Sequence, residues 1–505
     1  MINQSASVGV TIGHLLAGKH CPKIAASLRV TGLCLDSRNL RAGDLFIAMA
    51  GSRTTGLDFV DEAIIRGAIA VVVDRQVLAQ VPALAIPVIP IDCLSDSVSE
   101  LAARFYANPS AHMTITAVTG TNGKTSCCWL LSALLDRLGE TSAYLGTLGY
   151  GLANARSGGI QSESLRQTGL TTPDAITSQS ILAELAASGA KSVALEASSH
   201  ALTQGRIAAI NVDTAIFTNL SRDHLDYHRN MCAYADAKTR LFAMPGLKHA
   251  IINLDDNFGR RLLGKVAASA TMFTYSLDNS SADIYCRSIL LDASGIHATV
   301  AGRWGDGQLY SPLVGQFNLA NLLAVIAAAV QVYSLADILS AIPHLQSASG
   351  RMELIDATAS PAVVVDYAHT PDALEKVLMT LRAHSPGKLW VVFGCGGERD
   401  IGKRAKMGAI AYRYADKIVL TNDNPRGEAP EAIVGHIKRG IIGSISVELD
   451  RRAAIRHAIF TAAPEDLVLI AGKGHEDYQQ IADRRLPFSD QVQARLALRD
   501  RGSSC

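Results

Sequence analysis

The chain has 505 residues, 48% of them hydrophobic, and its 47 basic and 46 acidic side chains leave a formal net charge of +1. This length exceeds one ordinary hydrophobic core and predicts two to four domains, with the composition of a globular α/β protein. The balanced charge gives no support to binding of nucleic acid or of an anionic membrane surface.

The N-terminal residues and the cysteines are informative about where in the cell the protein is located. The N-terminal MINQSASVGV lacks the features of a signal peptide, and the densest apolar runs, such as 68–73, have the length of a strand rather than of a membrane span. The nine cysteines form no paired C-x-x-C framework. We therefore expect a cytoplasmic protein without membrane insertion.

Short β-branched runs that stop at polar turns and precede helical stretches recur along the chain, which indicates parallel βα units. They fall into three sets, which predict domains at 1–93, 94–346 and 347–505. The first set predicts strands at 44–49, 68–73 and 86–91, and then a helix at 97–106. The second predicts strands at 114–118, 192–196, 214–218 and 250–253, and the third at 362–366, 389–393, 417–421 and 467–471.

Polar residues cluster directly after the carboxyl ends of these strands. Examples are TGTNGKTS at 119–126, ASSH at 197–200, GCGGERD at 394–400, NDNPR at 422–426 and GKGHED at 472–477. Open parallel sheets bind ligands outside the carboxyl ends of their strands. Two such sheets that face each other would enclose one site.

The segment TGTNGKTS lies between a predicted strand and a predicted helix at 127–138, the context of a phosphate-binding loop. Lys124 can reach the β- and γ-phosphates of ATP, and the Thr125 hydroxyl can ligate Mg²⁺. The full Walker spacing needs Gly where Val118 stands, so the motif is the shorter G-T-N-G-K-T. The expected ATP-binding residues are Gly120, Thr121, Asn122, Gly123, Lys124, Thr125 and Ser126.

Glu196 ends the next predicted strand, where an acidic residue can hold the Mg²⁺ of a nucleotide. His224 and His228 stand four residues apart in RDHLDYH, a spacing that can place both on one helical face. A zinc site is one interpretation, but the glutamate of H-E-x-x-H is absent and no third soft ligand is near. We favour a contact of His224 with Mg²⁺ or phosphate.

Nine segments together resemble the Mur ligases, in the order of that family, from about residue 35 to about residue 479. They are VTGTNGKTS, EASSHAL, FTNLSRDHLDYH, GQFNLANLLA, SGRME, VVVDYAHTPDAL, VFGCGGERD, TNDNPRGE and AGKGHEDYQ. The resemblance implies an α/β fold of three domains. These are an N-terminal uridine-binding domain, a central P-loop ATPase-type parallel sheet and a C-terminal Rossmann-like domain.

The resemblance also implies an activity. We expect a ligase that uses ATP and Mg²⁺ to add meso-2,6-diaminopimelate to the D-glutamyl γ-carboxylate of UDP-N-acetylmuramoyl-L-alanyl-D-glutamate, through an acyl phosphate, for peptidoglycan synthesis. We expect a monomer that acts on these small molecules. The alternatives are an L-lysine-adding homologue, another amide ligase such as folylpolyglutamate synthase, and a P-loop NTPase that acts as a switch.

The matched motifs assign further residues. The UDP-sugar-peptide is expected at Leu35, Ser37, Ser52, Arg53, Thr54, Thr171, Thr172, Ser198, Gln204 and Arg206. The nucleotide is expected at Asn318 and Arg351, and Asp366 and His369 are expected to begin the C-terminal side of its pocket. Diaminopimelate is expected at Arg399, Asp423, Asn424, Pro425, Arg426, Gly472 and Glu476.

Two of these assignments carry specific chemistry. Arg426 offers a planar fork suited to the distal carboxylate of diaminopimelate, and Glu476 can pair with its ammonium. Members of the family that add L-lysine lack this arginine, so DNPR favours diaminopimelate.

Lys238, in YADAKTRLF, matches the carbamylated lysine (N6-carboxylysine) of the family. The expected catalytic residues are Lys124, Glu196, His224 and Lys238, and the expected Mg²⁺ ligands are Thr125, Glu196, His224 and the Lys238 carbamate.

Overall fold

The structure is a computed structural model that describes residues 9–50, 55–154, 164–292, 294–355, 361–443 and 445–502. Among these residues, strands form main sheets of four, ten and six strands, together with two sheets of two strands. Each main sheet lies within one predicted domain range, and the predicted α/β fold class is confirmed. The domain bounds themselves stay a prediction.

The first sheet is parallel throughout, in the order β3-β4-β5-β6. Its unit contains β1 (Val10–Thr11), α1 (Ile12–Leu15), α2 (Lys23–Ala26), β2 (Arg29–Val30), β3 (Gly32–Cys34), β4 (Asp44–Ala48), α3 (Val60–Ile65), β5 (Ala70–Asp74), β6 (Val88–Ile91) and α4 (Leu94–Phe105). Helix α4 repeats apolar residues at helical spacing, at Leu94, Val98 and Leu101, and buries them against this sheet.

The ten-stranded sheet has the order β16-β15-β14-β13-β12-β11-β7-β10-β8-β9. Its strands are β7 (Thr114–Thr119), β8 (Ser142–Gly146), β9 (Gly149–Leu152), β10 (Ser192–Glu196), β11 (Thr214–Phe217), β12 (His249–Asn253), β13 (Thr271–Tyr275), β14 (Ile284–Asp292), β15 (Gly295–Gly302) and β16 (Gly307–Ser311). Strand β7 lies between the parallel strands β10 and β11. The turns that follow these three strands therefore meet at one edge.

The helices of this region lie in the chain between the strands of this sheet or, in two cases, after its last strand. They are α5 (Lys124–Arg137), α6 (Ala175–Ala187), α7 (Ser199–Thr203), α8 (Leu225–His228), α9 (Met231–Phe242), α10 (Asn257–Leu262), α11 (Gln316–Ala329) and α12 (Leu335–Ala341). The four strands predicted here lie within one residue of β7, β10, β11 and β12. Strands β9, β15 and β16 run antiparallel to a neighbour and were not predicted. Strand β14 mixes buried and exposed residues and so lacks the continuous apolar run of a buried parallel strand.

The six-stranded sheet has the order β17-β18-β22-β19-β20-β21. This region contains β17 (Glu353–Leu354), β18 (Ala362–Asp366), α13 (Pro371–Arg382), β19 (Leu389–Phe393), α14 (Gly402–Tyr414), β20 (Lys417–Leu420), α15 (Pro430–Lys438), β21 (Ser446–Val447), α16 (Arg451–Thr461), β22 (Leu467–Ala471), β23 (Tyr478–Ile481), β24 (Arg484–Pro487) and α17 (Asp490–Gly502). Helices α13 to α15 cover one face, and α16 and α17 cover the other. The predicted strands 362–366, 389–393 and 467–471 match β18, β19 and β22 residue for residue.

In the part of the chain that the structure describes, no helix combines the length and apolarity that crossing a bilayer requires.

Gly408 in α14 and Gly435 in α15 offer a matched test of the packing between these helices. A Cβ added at Gly408 would lie 2.2 Å from the carbonyl oxygen of Ile437, whereas one added at Gly435 would meet nothing within 4 Å. We expect Gly408→Ala to lower the free energy of unfolding by about 1–3 kcal/mol through overpacking. Gly435→Ala should raise it by up to about 1 kcal/mol through helix propensity. Thermal denaturation measures both, and two changes of the same sign would contradict close packing of α14 on α15.

Candidate active site

The phosphate-binding loop connects β7 to α5 and depends on a glycine at its end. Gly123 has a φ of +85° and precedes the first residue of α5. A Cβ at this position would lie 2.7 Å from Oδ1 of Asn321 in α11. Both the left-handed backbone and the close approach of α11 therefore require glycine. The N-terminus of α5 directs its free N–H groups toward this loop, as phosphate binding requires.

Two lysine side chains converge on one carbonyl oxygen of the loop. Nζ of Lys124 donates to the carbonyl oxygens of Gly120 and Thr121, each at 2.8 Å. Nζ of Lys238 donates to the same Gly120 oxygen at 2.7 Å and lies 4.5 Å from the centre of the Tyr234 ring. This geometry brings the lysine predicted to be carbamylated beside the lysine predicted to contact phosphate.

The two amines have perturbed acid–base behaviour. Burial, reinforced by the neighbouring charge of Lys124, holds the pKa of Lys238 well below its ordinary value, although Asp223 opposes the shift. Burial also lowers the pKa of Lys124, and Glu196 opposes that shift. An amine with a lowered pKa is more often uncharged at neutral pH, which is the form that reacts with CO₂.

Glu196 is fully buried and four hydrogen bonds hold its carboxylate. Oε1 accepts from the Tyr144 hydroxyl at 2.6 Å and from the Thr147 N–H at 2.9 Å. Oε2 accepts from the hydroxyls of Thr125 at 3.0 Å and Thr147 at 3.1 Å. Tyr144 and Thr147 were missed from the sequence because β8 was not predicted. Had it been, the cluster of polar residues after a parallel strand would have indicated Thr147.

Thr125 and Glu196 suit Mg²⁺ chemically, since a hydroxyl and a carboxylate are the hard oxygen donors that this ion prefers. Their oxygens are 3.0 Å apart. Within the described residues, no group of three or more His, Cys, Asp or Glu side chains could hold a metal ion. A complete set of ligands at this position therefore needs other donors, such as nucleotide phosphates or a modified lysine.

His224 precedes α8 with a φ of +52°, and its side chain is 44% exposed. The two histidines predicted to share a helical face therefore do not lie within one helix: His228 ends α8, where Nε2 lies 2.9 Å from Oγ of Ser199. The His224 ring lies 6.0 Å from the ring of Tyr234. Because the Tyr234 hydroxyl lies 3.2 Å from Oγ1 of Thr121, aromatic contacts connect His224 to the loop.

Several residues predicted to bind the UDP-sugar-peptide form one connected network beside Glu196. The Thr172 hydroxyl donates to the Glu196 carbonyl at 2.6 Å and accepts from the Ser198 N–H at 3.1 Å. The guanidinium of Arg206 donates to the Thr172 carbonyl at 2.7 Å and to Oε1 of Gln204 at 2.6 Å. The network therefore lies at the same sheet edge as the phosphate-binding loop.

The remaining residues predicted for this substrate lie in different places. The Thr171 hydroxyl oxygen lies 3.1 Å from that of Thr147, close to Glu196. Ser37 lies in the first unit, where its hydroxyl donates to Glu62 at 2.6 Å, and Leu35 packs against the core of that unit. Ser52, Arg53 and Thr54 lie outside the described residues.

Asn318 lies in α11, one turn before the residue that contacts the phosphate-binding loop. Its Nδ2 donates to the Val314 carbonyl at 2.8 Å, and its Oδ1 accepts from Asn321 at 3.2 Å. The prediction included Asn318 but missed Asn321, although the two stand three residues apart in GQFNLANLLA. That spacing places both on one face of a helix.

Arg351 stands close to the third sheet, with its guanidinium 5.0 Å from the centre of the Tyr367 ring. Burial raises the pKa of Asp366 to about 6, and the charge of Arg351 and the N–H of Met352 oppose that shift. Nδ1 of His369 lies 2.9 Å from the Tyr367 carbonyl, and burial lowers the pKa of this histidine. Arg351, Asp366 and His369 are thus associated at the carboxyl end of β18.

The NDNPR and GKGHED turns are joined through a buried lysine. Lys473 Nζ donates to Oδ1 of Asn424 at 3.1 Å and to Oε2 of Glu476 at 3.0 Å. Nδ2 of Asn424 donates to the same Glu476 oxygen at 2.8 Å. Gly472 has a φ of +115°, and a Cβ there would lie 2.7 Å from Oδ2 of Asp423. Lys473 was missed from the sequence, although it lies within the GKGHE motif.

The GCGGERD turn packs against the same residues. Nη1 of Arg426, which has a φ of +51°, donates to the Gly397 carbonyl at 2.7 Å. A Cβ at Gly397 would lie 1.9 Å from the carbonyl oxygen of Pro425, so the two turns are in direct contact. Arg399 in the same turn is exposed. Seven residues predicted to bind diaminopimelate therefore lie on three adjoining turns.

Comparisons with known proteins identify the family. Residues 118–329 match the Mur ligase middle domain, residues 350–474 match the Mur ligase, glutamate ligase domain, and residues 29–106 match the Mur ligase family, catalytic domain. The UDP-N-acetylmuramoyl-L-alanyl-D-glutamate–2,6-diaminopimelate ligase of Pseudomonas aeruginosa is 48% identical over 94% of this chain and 96% of that protein. The chain belongs to the Mur ligase family. It is accordingly an ATP-dependent ligase that forms an amide bond.

Other relatives agree with this membership. The protein of the same name from Coxiella burnetii is 42% identical over 97% of this chain and all of that protein. A solved structure of a UDP-N-acetylmuramoyl-L-alanyl-D-glutamate–2,6-diaminopimelate ligase superposes with a TM-score of 0.73 and 36% identity, covering 98% of this Mur ligase and 99% of that chain. MurF from Acinetobacter baumannii is similar in fold, with a TM-score of 0.60 and 18% identity over 96% of this chain and 95% of that one.

The contact between Gly123 and Asn321 predicts a specific loss of nucleotide binding. In Gly123→Ala, the new methyl group must displace Asn321 or the loop, so we expect the affinity for ATP to fall about tenfold or more, equivalent to at least about 1.4 kcal/mol. Gly139 is the matched control, because it follows the same helix at a φ of +96° with nothing within 4 Å. Gly139→Ala should lower stability and leave ATP affinity unchanged. Calorimetric titration with ATP measures this, and equal affinities in the two variants would refute it.

Proposed function

We propose that this Mur ligase adds meso-2,6-diaminopimelate to the D-glutamyl γ-carboxylate of UDP-N-acetylmuramoyl-L-alanyl-D-glutamate, as a monomer in the cytoplasm. ATP is converted to ADP and phosphate, and the product is a precursor of peptidoglycan. The main support is the group of three turns in which Arg426, Asn424 and Glu476 adjoin. The relatives at 42–48% identity bear the name of this reaction.

The reaction requires activation because a carboxylate and an ammonium form an unreactive salt. An oxygen of the γ-carboxylate attacks the γ-phosphorus of ATP, ADP leaves, and an acyl phosphate forms. The uncharged amine of the amino acid then attacks the acyl carbon, and phosphate leaves with the oxygen that bridged carbon and phosphorus. Positioning and charge stabilisation supply most of the catalysis in phosphoryl transfer.

The residues of the chain have distinct roles in this scheme. Lys124 and the N-terminus of α5 stabilise the negative charge of the phosphates. The network of Thr172, Ser198 and Arg206 orients the peptide end of the first substrate beside the loop. Arg426 binds the distal carboxylate of diaminopimelate, and Glu476 orients its ammonium.

Mg²⁺ would be held by the Thr125 hydroxyl and the Glu196 carboxylate, with His224 and a carbamate on Lys238 as further ligands. When bound, Mg²⁺ neutralises phosphate charge and so makes the γ-phosphorus a better electrophile. The hydrogen bonds from Tyr144 and Thr147 keep the Glu196 carboxylate oriented toward Thr125.

Lys238 is suited to carbamylation because its buried amine has a lowered pKa and lies beside Lys124. In the reaction, the amine nitrogen bonds to the carbon of CO₂ and a proton is released. The resulting anion attracts the cation of the neighbouring Lys124. Deprotonation of the amine becomes more complete as pH rises, so carbamylation is favoured at higher pH.

Lys238→Ala tests this role. We expect the rate of amide formation to fall by about 10²-fold or more, since a preorganised charge at the reacting phosphate is lost. Acetate or propionate added to the variant should restore part of the rate by supplying a carboxylate in the space of the carbamate. Lys265→Ala, at an exposed lysine paired with Asp236 of α9, is the control and should be unaffected. Wild-type activity in Lys238→Ala would contradict the proposed role of a carbamate on Lys238.

Arg426→Lys tests the identity of the amino acid. We expect the wild type to join diaminopimelate and not L-lysine, and the variant to lose about 10²-fold in kcat/KM for diaminopimelate, equivalent to about 2.7 kcal/mol. The exposed Arg439→Lys should behave as the wild type. The mass of the product formed from the UDP-linked dipeptide, ATP and each amino acid measures this. A lysine product would favour the L-lysine-adding alternative, and ATP hydrolysis without any amide product would favour a P-loop NTPase switch.

A further inference from the structure

A buried ion pair lies beneath the turns assigned to the incoming amino acid. Arg451, the first residue of α16, and Asp490, the first residue of α17, both have side chains that are 0% exposed. Nε and Nη2 of Arg451 donate to the two oxygens of Asp490, each at 2.7 Å. This bidentate arrangement fixes the plane of the guanidinium.

The same guanidinium also binds the backbone at the base of two turns. Nη1 donates to the carbonyl of Asn422 at 3.1 Å, and Nη2 donates to the carbonyl of Ala471 at 3.0 Å. Asn422 directly precedes Asp423, and Ala471 directly precedes Gly472. Strands β20 and β22 are not neighbours, because β19 lies between them, so backbone pairing within the sheet does not join these turns. The two hydrogen bonds of the Arg451 guanidinium join these turns instead.

The carboxylates near Arg451 also act on its charge. Burial by itself would lower the pKa of Arg451, but Asp490 outweighs that effect, and Asp423 and Glu476 add to it, so that the pKa is raised overall. The guanidinium therefore stays charged, and the acidic residues of both turns contribute to that. A buried ion pair is by itself weak support for stability, since well-packed apolar replacements are often neutral or better. The two carbonyl contacts point to a more specific role.

We propose that Arg451, oriented by Asp490, is a positioning residue that sets the separation of the turn at 423–426 from the turn at 472–476 and thereby determines affinity for the incoming amino acid. This inference rests on the proposed function in one respect, namely that these turns bind the amino acid substrate. Arg451 does not touch that substrate. It acts through Asn424, Lys473 and Glu476, whose hydrogen bonds span the gap between the two turns.

Arg451→Lys is the first test, because lysine keeps the charge but cannot reproduce a planar fork that reaches Asp490 and two carbonyls at once. We expect the KM for the amino acid to rise about tenfold or more, and tenfold corresponds to about 1.4 kcal/mol. The KM values for ATP and for the UDP-linked dipeptide should stay within about twofold of those of the wild type, well below the tenfold rise expected for the amino acid. Steady-state kinetics with each substrate varied in turn gives the three values.

The chain offers a closely matched control in Arg456→Lys. Arg456 lies in the same helix and pairs with Asp500 of the same partner helix, but its side chain is 51% exposed. The chemistry of the pair is thus the same, while the buried contacts to the two turns are specific to Arg451. We expect all three KM values of Arg456→Lys to equal those of the wild type.

A double variant, Arg451→Met with Asp490→Leu, separates positioning from folding. It removes both charges without leaving one unpaired in the interior. We expect a melting temperature close to that of the wild type together with the raised KM for the amino acid. An unchanged KM for the amino acid in a folded variant would overturn the proposal, as would an equal rise of all three KM values. Failure of both variants to fold would assign the pair to stability alone and would likewise overturn it.

The wild type distinguishes failure of this inference from failure of the proposed function. If the wild type joins another amino acid in place of diaminopimelate, the proposed substrate is wrong, and the KM comparison is made with the amino acid that it uses. If the wild type joins diaminopimelate but Arg451→Lys behaves as Arg456→Lys does, the proposed function stands and the positioning role is wrong.

Discussion

The convergence of two lysine amines on the Gly120 carbonyl is the constraint on which the active site depends. Two cationic amines that share one hydrogen-bond acceptor repel each other, and burial weakens the solvent screening of that repulsion. Loss of a proton from one amine, or the arrival of an anion, relieves that repulsion. Burial favours the first outcome at Lys238, and the phosphates of ATP or a carbamate on Lys238 provide the second. The two amines therefore favour the binding of negative charge, which the phosphates of ATP or the carbamate would supply.

Sheet geometry explains how each of the two groups of polar residues is assembled. In the central sheet, β7 lies between β10 and β11, so the loop, Glu196 and the network of Thr172 meet at one edge. In the last sheet, β18, β22, β19 and β20 lie side by side, and their turns form the second group of polar residues. Each group places its functional atoms on short turns between buried strands, where packing limits their movement.

The sequence allowed prediction of those parts of the fold that depend on local pattern. Strands such as β19 and β22 are short apolar runs with polar turns, so their bounds matched the structure residue for residue. Strands β14 and β16 lack that pattern because exposed residues interrupt each of them. The fold class and family followed from ordered motifs, whereas the domain bounds and the roles of site residues stay predictions.

Two residues that the sequence did not indicate, Tyr144 and Arg451, share a physical cause. Tyr144 binds Glu196 across 52 positions of sequence, and Arg451 binds Asp490 across 39. Such contacts depend on which strands and helices become neighbours in the fold, so no local spacing in the sequence predicts them. His224 shows a different limit: its left-handed backbone places it directly before α8 rather than within it, yet its ring and that of His228 both lie beside the Tyr234 ring.

Isotope transfer tests most directly the claim that this cation-lined site activates a carboxylate by phosphorylation. UDP-N-acetylmuramoyl-L-alanyl-D-glutamate carrying ¹⁸O in both oxygens of the γ-carboxylate is incubated with ATP and diaminopimelate, and the released phosphate is weighed by mass spectrometry. The account predicts one ¹⁸O atom in each phosphate, carried from the bridging oxygen of the acyl phosphate. Phosphate without label, formed at the same rate as the amide, would contradict it.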